Sequence, residues 1–193
     1  MATVTVKPAW PEWFYPANLL TELRLLAVPV IVAAVVLRKP GWAALIFIAA
    51  AVSDGCDGWI ARHFNQRSAL GLYLDPAADK ILIAALFLTL ALVGEMPWTV
   101  TIIIYIRDLC IVVSAAALYW GAGFRDFQPT WWGKASTTAE LATAGVTLLE
   151  AWSTNGLFRF LERVGWVAVV SLAVVSGIHY AFTSAQRYHA QRA

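Results

Sequence analysis

Charge is scarce in this chain. Only 13% of its 193 residues are Asp, Glu, Lys or Arg, whereas a soluble domain carries about 25%. That deficit argues against an ordinary water-facing surface and for lipid as the solvent. The net charge is +2 and there are no basic runs, so nucleic acid is not an expected partner. Cysteine is nearly missing. Cys56 and Cys110 both fall in apolar runs, and two isolated thiols are packing residues rather than a disulfide framework. Residues 1–17 lack a basic segment followed by an apolar core, so no cleavable signal peptide is expected. Repeats, linkers and low-complexity tracts are also missing, which predicts one domain over residues 1–193.

What the chain has instead is hydrophobicity, at 60% of residues. Apolar runs occupy about 18–37, 41–61, 70–93, 97–120, 135–152 and 164–183. Each is long enough to cross a bilayer, which takes roughly 20 residues. A span must satisfy its own backbone hydrogen bonds, so each run is expected to be a helix. The predicted fold is therefore all-α and polytopic, with about six transmembrane helices. Polar separators fall at Arg38–Gly41, His63–Ser68, Gly94–Pro97, Gly121–Gly133 and Ser153–Arg163. Trp42, Trp98, Trp120, Trp131, Trp132 and Trp152 lie near run ends, as in an interfacial aromatic belt. Trp10, Trp13, Phe14 and Tyr15 predict a short interfacial helix over about residues 8–17.

Orientation follows from the basic residues. With a cytoplasmic N-terminus, that side holds Lys7, Arg62, Arg67, Arg125, Lys134, Arg187 and Arg192. The other side holds Arg38, Lys39, Arg159 and Arg163. The positive-inside rule favours the cytoplasmic N-terminus by a modest margin.

The charges inside the apolar runs are the informative ones. An ionised side chain at membrane depth costs at least ~2.5–3.5 kcal/mol. Glu22 and Arg24 fall in the first run, Arg107 and Asp108 in the fourth, and Glu140 in the fifth. Asp54, Asp57, Asp75 and Asp79 fall within or at the ends of the second and third. Each aspartate pair is spaced three or four apart, so it occupies one face of its helix. A short polar turn centred near Gln66 makes the two helices antiparallel. Asp57 then stands level with Asp75, and Asp54 with Asp79.

Four carboxylates at one depth repel unless they are protonated or bind cations. Oxygen-only clusters suit hard divalent ions such as Mg²⁺ or Mn²⁺. Two ions neutralise four negative charges and suit phosphoryl displacement. Gly58, Ala61 and Gly71 leave room for close approach. Arg62 is a cation able to fork onto phosphate. These residues together suit a phosphorylated substrate. Intramembrane carboxylates also mark ion or proton transporters, which are often built from repeats and broken helices. Neither feature is present, but that alternative stays open on the residues alone. His63, His179 and His189 read as polar residues near interfaces rather than ligands.

Written out, the acidic run is Asp54-Gly-Cys-Asp57-Gly58-Trp-Ile-Ala61-Arg62, eight residues, Gly71, three residues, Asp75, three residues, Asp79. It resembles, at every defined position, the signature of the CDP-alcohol phosphatidyltransferases. The resemblance covers about residues 16–183. It implies that Asp54, Asp57 and Asp75 hold a first metal ion, and Asp54, Asp75 and Asp79 a second. It also implies that Asp79 is the general base for the acceptor hydroxyl. Gly58, Arg62 and Ser68 would contact the CDP group, and Asn18 and Thr21 would line the nucleotide pocket.

The implied reaction is transfer of a phosphatidyl group from CDP-diacylglycerol, with release of CMP. Ala17 to Arg24 and Gly71 to Lys80 look like the glycerol-type branch, which contains phosphatidylglycerophosphate and cardiolipin synthases. Gly133-Lys134-Ala-Ser-Thr137-Thr138 is similar to a stretch seen there. Arg107-Asp108 looks more like the cardiolipin enzymes, leaving glycerol-3-phosphate and phosphatidylglycerol as nearly even acceptors. Arg107 and Lys134 are expected to hold the acceptor's phosphate; an internal ion pair for Arg107 and a snorkelling role for Lys134 are the plainer readings. The resemblance further implies a homodimer and an active site on the cytoplasmic side.

Overall fold

The computed structural model describes the backbone of residues 16–64, 71–122 and 131–190, with side chains mainly over 22–53, 78–114 and 131–180. The expected interfacial segment lies almost wholly outside these residues, as does Ser68. Among the described residues there are six helices and no strand: α1 (Pro16–Val36), α2 (Pro40–Phe64), α3 (Gly71–Val93), α4 (Trp98–Ala122), α5 (Trp131–Ser153) and α6 (Gly156–Ala190).

The helix ends follow from local chemistry. Proline opens α1 and α2, where its missing amide has no helical partner to lose. Arg38 takes a left-handed φ of 55° after α1, and the Lys39 amide returns to the Ala34 carbonyl at 2.9 Å. Gly94 does the same after α3 with a φ of 85°, and the Glu95 amide donates to the Leu90 carbonyl at 2.9 Å.

The start of α6 departs from the sequence expectation. Residues 153–163 look like a polar separator, yet α6 begins at Gly156 and runs for 35 residues. The break after α5 is only Thr154 and Asn155. The Asn155 side chain accepts the Leu157 amide at 3.0 Å and so caps the new helix. Arg159 reaches back across the break to Glu150 at 3.1 Å, so its charge serves the turn rather than breaking the helix.

Side chains from all six helices, or from the turns beside them, meet in one core. Ile31, Phe47, Leu86, Phe87, Ile104, Leu148 and Val169 are all essentially buried. α1 packs against both α2 and α3, α5 against α2, α3 and α6, and α4 against α3 and α6. A β-carbon on Gly165 would lie 2.8 Å from the Thr143 hydroxyl, so only glycine lets α6 approach α5 this closely.

The outward faces remain apolar. Leu26, Leu45, Leu92, Leu109, Val112 and Val167 are exposed, as are Trp42, Trp98, Trp131 and Trp152 close to helix ends. A contiguous apolar exterior of this kind marks contact with lipid or another protein. Among the described residues, Gly156–Tyr180 is the one stretch both long and apolar enough to cross a bilayer by length and composition. Pro40–Ser53 is apolar but shorter.

Two contacts fix the relative directions of the first three helices. Arg24 near the start of α1 meets Asp79 near the start of α3. Arg38 just after α1 meets Glu95 just after α3 at 2.8 Å. These helices therefore run parallel, and α2, which doubles back after α1, is antiparallel to α3.

Candidate active site

The backbone of the acidic motif lies toward one end of the bundle. Its sequence puts Asp54, Asp57, Gly58 and Arg62 in the last part of α2, and Gly71, Asp75 and Asp79 in the first part of α3. Asn18 and Thr21 lie in the first turns of α1, at the same end. The side chains of Asn18, Thr21, Asp54, Asp57, Arg62 and Asp75 lie outside the described residues, as does any description of Gly58 and Gly71 beyond their backbone. Asp79 is the one member of the motif whose side chain is described.

The level of Asp79 can be traced through α1. Arg24 donates from Nη1 to Oδ1 of Asp79. Arg24 also lines a groove of about 340 Å³ between α1 and α2, together with Ala27, Val30, Ile46, Ala50 and Ser53. Ser53 is the residue before Asp54. Through Arg24, Asp79 is linked to the end of this groove at Ser53. Among the described residues α2 and α3 do not pack on each other; α1 lies against both.

The two partners differ in exposure. Arg24 is 4% exposed and the Asp79 side chain 37%. The cation stands behind the carboxylate, and the carboxylate faces the open side.

A second polar cluster begins at the next residue of α3. Lys80 Nζ donates to both carboxylate oxygens of Asp108, each at 2.7 Å. Arg107 donates to Asp108 at 2.7 Å and to the Ser176 hydroxyl at 3.1 Å. Glu140 lies 3.5 Å from both Lys80 and Arg107 and accepts from Ser136 at 2.9 Å. Two cations and two anions from α3, α4 and α5 thus balance, with Ser176 of α6 closing the set. Glu140 is fully buried and Arg107 nearly so.

Lys80, Arg107, Asp108 and Ser176 of this cluster line a cavity of about 620 Å³ whose walls include Ile81, Tyr105, Leu109, Val112 and Tyr180. Gly133 and Thr137 of α5 also line it. Lys134 is exposed beside Gly133 and does not line the cavity with Arg107. The second cation at the cavity is Lys80.

The CDP-alcohol phosphatidyltransferase family model matches residues 14–178. The chain belongs to the CDP-alcohol phosphatidyltransferase family. It is 32% identical over 173 residues to a Mycobacterium tuberculosis protein named "Probable phosphatidylglycerophosphate synthase", spanning 85% of this chain and 78% of that one. It is 37% identical over 143 residues to the CDP-diacylglycerol–glycerol-3-phosphate 3-phosphatidyltransferase of Cereibacter sphaeroides, spanning 72% of this chain and 64% of that one. A Mycobacterium bovis relative with a provisional cardiolipin synthase name is 35% identical over 121 residues, spanning 62% of this chain and 57% of its own.

CDP-alcohol phosphatidyltransferases are membrane-embedded transferases that use divalent metal. Among the described residues no group of three or more His, Cys, Asp or Glu side chains stands together. Asp79, the one motif carboxylate described, is a hard oxygen donor of the kind such ions take, and it is partly accessible. Sequence reasoning missed the partners of this family site. Arg24 is legible as a charge able to pair with a neighbouring helix, though not with which residue, and Lys80 only as the residue after Asp79. Ser136 and Ser176 carried no signal, because a lone serine in a helix is ordinary.

Proposed function

We propose that the chain transfers the phosphatidyl group of CDP-diacylglycerol to glycerol-3-phosphate, giving phosphatidylglycerophosphate and CMP. The observation that carries this reading is Asp79, partly exposed and backed by a buried arginine that lines a groove with Ser53, the residue before the other acidic pair of the family motif. The names of the relatives favour glycerol-3-phosphate over other alcohols. The groove between α1 and α2 supports a lipid donor. It is apolar along its length and ends on Arg24 and Ser53, beside the acidic site.

On this reading the chain spans the membrane about six times, with its active site on the cytoplasmic side. Asp54, Asp57, Asp75 and Asp79 hold two Mg²⁺ or Mn²⁺ ions, which when bound offset charge on the diphosphate. Gly58, Arg62, Ser68, Asn18 and Thr21 receive the nucleotide, and Gly71 leaves room beside it. Asp79 takes the proton of the acceptor hydroxyl. The hydroxyl oxygen bonds to the β-phosphorus, the bond from that phosphorus to the CMP oxygen breaks, and CMP leaves with the electron pair.

The deciding assay supplies purified protein with CDP-diacylglycerol and, in turn, glycerol-3-phosphate, phosphatidylglycerol, inositol phosphate or serine. Phosphatidylglycerophosphate and CMP are expected in equal amounts with the first. Exhaustive chelation is expected to abolish turnover, and Mg²⁺ or Mn²⁺ to restore it. Undiminished turnover after chelation contradicts the two-ion site.

For the acceptor's phosphate, Lys134 is proposed as a contact at the exposed start of α5, whereas Arg107 is buried in the ion network with Asp108 and Ser176. Lys134 gives the cleaner test, because it is exposed and its loss spares the core. A hydrogen bond to a charged group contributes about 1.5–3 kcal/mol. Lys134→Ala is therefore expected to raise the KM for glycerol-3-phosphate roughly ten- to hundredfold, with the KM for CDP-diacylglycerol unchanged. An unaltered acceptor KM removes Lys134 from the pocket.

A further inference from the structure

Asp79 and Lys80 are neighbours on α3, so their side chains leave the helix about 100° apart. Each is gripped from a different side. Arg24 reaches Asp79 from α1. Asp108 on α4 takes Lys80 with both oxygens at 2.7 Å, and Glu140 on α5 stands 3.5 Å from it. We propose that these contacts form a two-sided clamp that sets the rotation of α3, with Arg24 as a positioning residue that aims the Asp79 carboxylate. The proposal rests on the reading of Asp79 as base and metal ligand.

The geometry favours positioning over substrate binding for Arg24. It is 4% exposed, and around it α1 presents Leu23, Leu26, Ala27 and Val30 to an apolar groove. A cation retained there needs an anion close by, and Asp79 supplies one. A carboxylate offers about four acceptor positions over its two oxygens. A guanidinium bonded to Oδ1 can therefore hold the group while it serves a metal ion or a proton. The planar fork of arginine also resists rotation better than the single ammonium of lysine. On the other side, Asp108 is itself held by Arg107, which Ser176 fixes in turn. Both arms of the clamp therefore end in buried side chains.

The test compares Arg24→Gln, Arg24→Lys, Asp108→Asn and the double variant Arg24→Lys/Asp108→Asn in the full chain. A mis-aimed base is expected to lower kcat at least tenfold in Arg24→Gln, on the scale of general-base effects. The KM for CDP-diacylglycerol should stay within about twofold, since the loss falls on the transition state alone. Arg24→Lys should recover part of the rate. The double variant should lose more than the product of its single losses, because each arm partly covers for the other.

Titration of unloaded protein with Mn²⁺ alone, followed by the paramagnetic signal of free ion, provides a readout apart from turnover. One of two binding steps should weaken in Arg24→Gln and recover in Arg24→Lys. A raised KM with unchanged kcat makes Arg24 a substrate ligand and overturns the proposal. Strictly multiplicative losses overturn the two-sided clamp. If the unsubstituted protein releases no CMP, the transferase reading fails, and the Mn²⁺ titration alone then decides whether Arg24 aims Asp79.

Discussion

Asp79→Asn is expected to abolish turnover while CDP-lipid binding survives. Asparagine keeps the size of the side chain and an oxygen able to accept from Arg24. It loses the negative charge and the ability to take a proton. General-base help alone is typically worth about 10²–10⁴-fold. The substitution also removes one carboxylate from the proposed second metal ion, so the loss should exceed the base contribution. Nucleotide contacts are proposed for Gly58, Arg62 and Ser68, none of which is altered. CMP release and binding of a non-hydrolysable CDP-lipid, measured side by side, separate the two effects. Near-normal turnover would remove Asp79 from the base role. Stability should fall as well, because Arg24 is 4% exposed and loses the charge of Asp79.

The pairing behind that expectation shows where sequence reasoning stops. The acidic motif is legible because its members repeat at helical spacing within two adjacent runs. Helix spacing is a local property, fixed by 3.6 residues per turn. The same holds for most helix limits: α1 through α5 fall close to the apolar runs that predict them, although α5 starts a few residues early. The start of α6 is not legible, because charged residues in 153–163 look like a break. Arg159 instead pairs with Glu150 across a two-residue gap, and Asn155 caps the helix that follows.

Partnerships between helices were not legible. Arg24 and Asp79 are 55 positions apart, and Lys80 and Asp108 are 28 apart. Nothing in spacing chooses among the charges that an apolar run displays. The choice is made by packing, which sets α1 against α3 and leaves Lys134 outside the cavity that Arg107 lines. Arg107 and Lys134 look like partners in sequence because both are cations near one end. Depth separates them: Arg107 lies buried within the ion network, and Lys134 is exposed.

That network carries the largest expected effect on stability. Glu140 is fully buried, and it faces Lys80 and Arg107 at 3.5 Å each. Glu140→Leu leaves two cations sharing the single anion Asp108, and strands the Ser136 hydroxyl that donates to Glu140. Breaking a buried ion pair from one side costs about 3–5 kcal/mol. For a chain of this length that corresponds to a drop in Tm on the order of 10 °C. The cost arises from the charge left behind rather than from lost attraction, and this gives the prediction its sharper half. Adding Lys80→Met to Glu140→Leu restores balance, because Arg107 and Asp108 still pair at 2.7 Å. Replacing both members of a buried pair with apolar side chains is often near neutral. The double variant should therefore unfold at a higher temperature than Glu140→Leu alone, although it carries one more substitution. Thermal unfolding of the purified variants in one detergent measures the sign directly. If the two losses add, Glu140 does not act by balancing Lys80, and its burial has to be explained through Ser136 and Arg107 alone.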